Sequence, residues 1–156
     1  MRRPSSSEQY ITIIDNKGRE KIQAVEYIVL DARKEEIYVT SDRVAYVQDS
    51  LKFKQQFQVL AELAKLPSVL ENPDLVIWDP VDPRKETLIY YKRLYFVKLQ
   101  EYKVVAAIVK VRQGIKFFYN FFLQESGKVK GLPVVSPAEI EIWYIAPHVN
   151  ASRFGL

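Results

Sequence analysis

Lys103-Val104-Val105-Ala106-Ala107-Ile108-Val109-Lys110-Val111-Arg112-Gln113-Gly114-Ile115-Lys116-Phe117-Phe118-Tyr119-Asn120-Phe121-Phe122-Leu123-Gln124 is the stretch that decides the fold. Its first half is apolar on both parities: Val104, Ala106 and Ile108 on one, Val105, Ala107 and Val109 on the other. A strand with two apolar faces belongs inside a sheet that is covered on both sides. Gln113-Gly114 reads as a tight turn. In the second half, period-two alternation sets Ile115, Phe117, Tyr119, Phe121 and Leu123 on one face. It sets Lys116, Phe118, Asn120, Phe122 and Gln124 on the other.

Outward from this hairpin the chain continues as strands. Thr87–Val97 is long and aromatic, and Leu75–Trp78 is short and apolar. Between them, Asp79-Pro80-Val81-Asp82-Pro83 is a loop that two prolines keep out of a helix. On the C-terminal side, the polar Ser126–Gly131 loop leads towards Ile140–Ile145, an alternating last strand. Upstream, Leu51–Leu66 is expected as the main helix, with Ser50 as its cap. Its core stripe would be Phe53, Phe57, Leu60, Ala61 and Ala64. Pro67 stops it, and Ser68–Asn72 forms a short second helix. Gln9–Ile14, Ile22–Leu30 and Glu36–Thr40 read as strands, with a helical turn at Val44–Val47. Strands, then helices, then a meander give an α+β class, with helices packed on an antiparallel sheet of four or more strands. Residues 1–8 read as a disordered arm, and 9–156 as a single domain.

Composition removes several chemistries. The 156 residues contain no cysteine and one histidine, His148, so thiolate chemistry, disulfides and multi-histidine metal sites are excluded. No cofactor and no metal are expected. Asp79 and Asp82, with Asp74, are read as turn residues rather than ion ligands. His148, near the end of the chain, is read as a surface residue. No apolar run reaches the ~18 residues of a membrane helix, and no apolar stretch follows the basic N-terminus. A cytoplasmic location without membrane contact is therefore expected.

Charge and aromatic residues coincide. Residues 84–130 hold eleven lysines and arginines against three acids, interleaved with Tyr and Phe. Cations attract phosphates and flat rings stack on unpaired bases, so this segment suits a nucleic acid, RNA first. A solvated strand face with long lysines is the bland alternative.

Four pieces in order carry a resemblance: Glu71-Asn72-Pro73-Asp74-Leu75-Val76, Leu88-Ile89-Tyr90-Tyr91-Lys92-Arg93, Tyr102–Val109, and Phe117-Phe118-Tyr119-Asn120-Phe121-Phe122. Together, over residues 40–146, they resemble the phage-associated branch of the barnase–EndoU–colicin–RelE-like nucleases. Gly127, Gly131 and Trp143 stand for that group's Gly-rich hairpin and terminal strand. The resemblance implies a helix pair on a four-stranded antiparallel sheet with the site on the exposed sheet face. It also implies a metal-independent endoribonuclease that cleaves by 2′-OH attack, of the kind found as toxins or phage effectors. Lys92 matches the basic residue of the second piece, with Arg93 and Tyr91 beside it. Asn120 stands where the group has a small hydroxyl residue. Arg43 and Tyr46 stand where many members have a histidine.

The chemistry itself needs a base for the 2′-OH, charge stabilisation at the phosphate and an acid for the leaving oxygen. The candidate catalytic residues are Lys92, Arg93, Tyr91, Asn120 and Arg43. The candidate nucleic-acid contacts are Lys103, Lys110, Arg112 and Lys116. Lys92 and Arg93 are adjacent in a strand, so only one of them faces a given side. Two other readings stay open: a catalytically silent nucleic-acid-binding domain on the same scaffold, and a protein-interaction module. A protein partner or inhibitor is left undetermined.

Overall fold

The computed structural model describes residues 1–156. The strands are β1 (Tyr10–Ile14), β2 (Glu20–Leu30), β3 (Glu36–Thr40), β4 (Leu75–Trp78), β5 (Thr87–Phe96), β6 (Glu101–Arg112), β7 (Ile115–Gln124) and β8 (Ile142–Ile145). Three helices, α1 (Ser41–Phe53), α2 (Phe57–Glu62) and α3 (Leu66–Glu71), connect β3 to β4. All eight strands form one sheet in the order β1-β2-β3-β7-β6-β5-β4-β8.

The two-faced apolar run is β6, which lies between β5 and β7. Val105 to Val109 are buried without a break, as such a position demands. Tyr90 and Tyr91 of β5 stand opposite Ala107 and Ala106. The small alanines leave room for two rings on opposite faces, and both tyrosines are fully buried. Burial of a large side chain of this kind stabilises by roughly 1.5–3 kcal/mol. One apolar core lies under the helices and includes Val47, Leu51, Val59, Leu66, Tyr90, Phe118 and Phe121.

The α+β class holds, and three expectations are corrected. The sheet is mixed, because β3 meets β7 in parallel at Ile37–Lys116 and Tyr38–Phe117. The expected helix over 51–66 is broken. α1 starts directly after β3, where the Thr40 hydroxyl accepts from the Arg43 N–H at 3.3 Å. It ends at Phe53, and Gln55 takes a left-handed φ of 57° before α2 begins. That break resets the helical phase, so Val47, Leu51, Val59, Leu63 and Leu66 point inward. Phe53 and Phe57, assigned to the core stripe, are instead 90% and 58% exposed. The N-terminal arm is docked rather than disordered. Arg2 bridges Ile28 of β2 through its backbone and pairs with Glu8 and Glu36. These contacts offset the entropy of ordering the arm.

A fourth correction concerns β7. Ile108 pairs with Asn120 but Val109 pairs with Phe118, so Tyr119 is the extra residue of a β-bulge. The bulge switches parity within the strand. Phe118 and Phe121, three apart, both enter the core under the helices.

The face away from the helices is covered at two places. Val129, Ile140, Ala146, Val149 and Phe154 from the C-terminal segment pack over Leu75, Ile77, Tyr91 and Ala106. At the other side, Ile11, Ile13, Val25 and Ile28 of the β1–β2 hairpin pack around Phe117. Tyr119 touches both clusters and marks the gap between them. No helix is long and apolar enough to cross a membrane.

Candidate functional site

The gap is a cleft of about 280 Å³ bordered by Arg43, Arg112, Lys21, Gln23, Asn16 and Tyr119. The β-bulge supplies Tyr119, and the abrupt β3–α1 junction supplies Arg43. The Arg43 guanidinium lies 3.9 Å from the Tyr119 ring centroid and 4.6 Å from that of Tyr46. It is held by rings rather than by a carboxylate. Lys110 approaches the same Tyr119 ring at 5.0 Å. A half-buried tyrosine therefore carries two cations, each interaction being worth ~0.5–2 kcal/mol.

Lys110 is the chemically distinctive group. Burial, and then the charge of Arg112, pull its pKa below that of an ordinary lysine; Tyr119, Asp82 and Asp79 act in the opposite sense. Its Nζ donates to the Thr87 hydroxyl at 3.0 Å, and that hydroxyl donates to Asp82 at 2.9 Å. The Lys110 proton is thus easier to remove than a surface lysine's.

Arg112, on the same parity of β6, is a clamp. Its guanidinium donates to the Ile14 carbonyl and to Asn16 Oδ1, the latter at 2.6 Å, and its Nε lies 3.3 Å from Glu86. These contacts tie the β1–β2 hairpin to the end of β6.

The other candidates do not converge on this cleft. Lys116, expected as a nucleic-acid contact, is only 5% exposed. It pairs with the buried Asp31 at 2.5 Å, and its Nζ lies 4.3 Å from the Trp143 ring centroid. Tyr90 also donates to Asp31, at 2.7 Å. Lys116 is corrected to a structural cation because its parity on β7 turns it away from the open face. Lys92 also points to the helix side, where its Nζ donates to the Asn72 carbonyl at 2.6 Å. Tyr91 is buried on the opposite face, and its hydroxyl accepts from the Lys130 N–H at 2.8 Å. Burial holds its phenol above the ordinary tyrosine range, so it is a poor proton carrier near neutrality. Asn120 Oδ1 accepts from the Phe121 N–H at 2.8 Å.

Arg93 and Lys103 border a separate cleft, together with Tyr102 and Arg153. Lys103 also pairs with Glu101 at 3.1 Å. His148 is exposed, with Nε2 3.8 Å from Asp74. No set of three or more metal-ligating side chains gathers. Asp79 is occupied by the Val81 N–H and Lys130, and Asp82 by Thr87 and backbone N–H groups.

The sequence reading missed Tyr119 and Tyr102 as site residues. The signal for Tyr119 was present: two Phe-Phe pairs around Tyr119-Asn120 cannot all be buried by strict alternation, and a bulge resolves this. Arg43 and Lys110 were named, but nothing local in the sequence joined them. No protein-family model, curated protein or solved structure matches this chain.

Proposed function

We propose that this domain acts on RNA, holding a single strand at Tyr119 and cleaving it without a metal through attack of the ribose 2′-OH. The observation that carries this reading is the placement of Arg43 and Lys110 against Tyr119, whose ring and Arg43 border an open cleft. The order of sequence pieces resembling the barnase–EndoU–colicin–RelE-like nucleases supports the same reading. A phage or mobile-element effector acting in a reducing cytosol fits a chain without cysteine.

In this mechanism the 2′-oxygen forms a bond to phosphorus and the 5′-oxygen leaves, giving a 2′,3′-cyclic phosphate. Lys110, in its neutral form, accepts the 2′-OH proton; burial and the neighbouring charge of Arg112 make that form easier to reach than for a surface lysine. The Tyr119 hydroxyl donates to the leaving 5′-oxygen and is reprotonated from solvent. Arg43 stabilises the extra charge on the phosphorane.

A binding domain without chemistry is the second reading. It is favoured by Tyr91, Lys92 and Asn120, since the Tyr91 hydroxyl, the Lys92 ammonium and the Asn120 Oδ1 each bond to the backbone of the chain. One experiment separates the two. Wild type, Lys110→Ala, Tyr119→Phe and Arg43→Ala are incubated with mixed cellular RNA in EDTA and read on a gel. Cleavage by wild type that is lost in all three variants supports the nuclease. Intact RNA with a salt-sensitive shift supports binding alone. Intact, unshifted RNA rejects both.

A further inference from the structure

Tyr95 of β5 and Tyr102 of β6 are register partners, with ring centroids 5.1 Å apart. Both rings are exposed, Tyr102 at 59%. Arg93, two residues before Tyr95 and so on the same face, lays its guanidinium 4.8 Å from the Tyr102 centroid. Arg153, from the turn near the C-terminus, borders the same cleft of about 310 Å³. Two carboxylates lie in the wall: Asp74, which accepts from the Arg93 N–H at 2.8 Å and faces His148, and the exposed Glu125, set against the cations Arg93, Lys103 and Arg153. The pairing found at Arg43–Tyr119 is therefore repeated: an arginine on a tyrosine at the border of a cleft. The Lys110 equivalent is missing. The cation on the Tyr102 ring belongs to an arginine, which does not release its proton near neutrality.

We propose that Arg93, Tyr95, Tyr102 and Arg153 form a second nucleotide subsite. It takes a base and a phosphate of the same RNA strand that is held at Tyr119. This inference rests on the proposed function and names the ligand more closely, as a single strand of defined minimum length. An exposed flat ring stacks only on an unpaired base, which excludes duplex. Lys110 and Tyr102 are eight residues apart on β6. That separation is about 26 Å at ~3.3 Å per residue. A stacked strand advances roughly 3.4 Å per nucleotide, so about eight nucleotides reach from one site to the other. Ala106 and Ile108, between the two sites on β6, lie under the C-terminal segment, so the strand's path follows β7 instead, past half-buried Phe122 and Gln124. Arg93 and Tyr102 bind and position the strand and take no part in bond breaking.

The test uses fluorescence polarisation with labelled 2′-O-methyl RNA, which cannot undergo 2′-OH attack. The probes are a 4-mer, a 12-mer and a 12-base-pair duplex. The proteins are wild type, Arg93→Ala/Tyr102→Ala and Arg43→Ala, with thermal melts to check folding. Wild type is expected to bind the 12-mer at least tenfold more tightly than either the 4-mer or the duplex. The Arg93→Ala/Tyr102→Ala variant should drop the 12-mer to the level of the 4-mer and leave the 4-mer unchanged. Equal wild-type affinity for the 4-mer and 12-mer overturns the subsite, as does a folded double variant that keeps its 12-mer affinity. Duplex bound as tightly as single strand overturns the stacking argument. Arg43→Ala reads the other cleft independently. If it leaves 4-mer binding intact, the Tyr119 reading fails while the result for Arg93 and Tyr102 still stands.

Discussion

Lys110 and Lys116 flank the same Gln113–Gly114 turn on neighbouring strands, and they end in opposite surroundings. On the helix side, Lys116 meets Asp31 at 2.5 Å and Glu35 at 3.9 Å. Trp143 covers it, and the Arg33 guanidinium lies 4.5 Å from the centroid of that ring. On the open face, Lys110 meets a hydroxyl and a ring, with Arg112 as a neighbouring like charge. A buried charge persists only when it is paired. Lys116 is paired by its own chain, so nothing is left for a ligand. The fold leaves Lys110 only partly compensated, as the proposed phosphate contact requires. Strand parity, more than local charge density, decides which cation is paired within the chain.

The largest expected effect comes from breaking the paired side. Asp31 is fully buried and also accepts from the Arg33 and Glu35 N–H groups, at 2.9 and 3.0 Å. Asp31→Ala should cost about 3–5 kcal/mol, because it leaves Lys116 buried and unpaired. Urea unfolding measures this directly. Lys116→Met combined with Asp31→Leu should cost clearly less than the sum of the two single changes, because the ion pair is lost only once. A double variant as unstable as the sum of the singles contradicts the ion-pair account.

The next effect tests which helix face belongs to the core on that side. Leu51→Ala should lose about 2–5 kcal/mol, while Phe53→Ala should stay within roughly 0.5 kcal/mol. These two residues also show why the sequence reading divided as it did. β6 and the meander were legible because two apolar parities in a row fit only a central strand. The α1–α2 break was not legible: it rests on one left-handed residue, Gln55, and any polar residue there looks alike in sequence. Without the break, Phe53 and Phe57 fall on a coherent stripe, and the inferred core face was the exposed one. The site suffered in the same way. A bulge of one residue at Tyr119 inverts the parity of half of β7, and strict alternation hid Tyr119. Lys116 was placed with Lys110 by charge, and only the pairing with Ile37 of β3 and with Asp31 separates them.

On the open side, stability and binding should part company. Lys110→Met removes a cation whose charge is penalised by burial, so the unfolding free energy should change by less than ~1 kcal/mol. RNA affinity should fall at least tenfold, which corresponds to ~1.4 kcal/mol. Lys116→Met should give the reverse pattern per molecule that remains folded. Filter binding beside denaturant melts reads both quantities. A Lys110→Met protein that melts much earlier than wild type would show that this lysine, too, is structural.

The smallest effect gives the finest distinction, because pH acts on the two quantities with opposite signs. Lys110 titrates in the folded chain below the ordinary value of 10.5. In the window between the folded value and 10.5, the unfolded chain holds a proton that the folded chain has released. Stability therefore rises with pH across that window, since the unfolded state binds more protons. On the proposed reading, RNA affinity should fall across the same window, because the cation offered to the phosphate is lost. Tyr90 and Tyr91 are held protonated by burial and push stability the other way in alkali. Subtracting the profile of Lys110→Met from that of wild type cancels their contribution. The difference should show a rising stability and a falling affinity with one common onset, at the folded value of Lys110. Separate onsets would assign the affinity loss to another cation of the cleft, with Lys21 the first to replace.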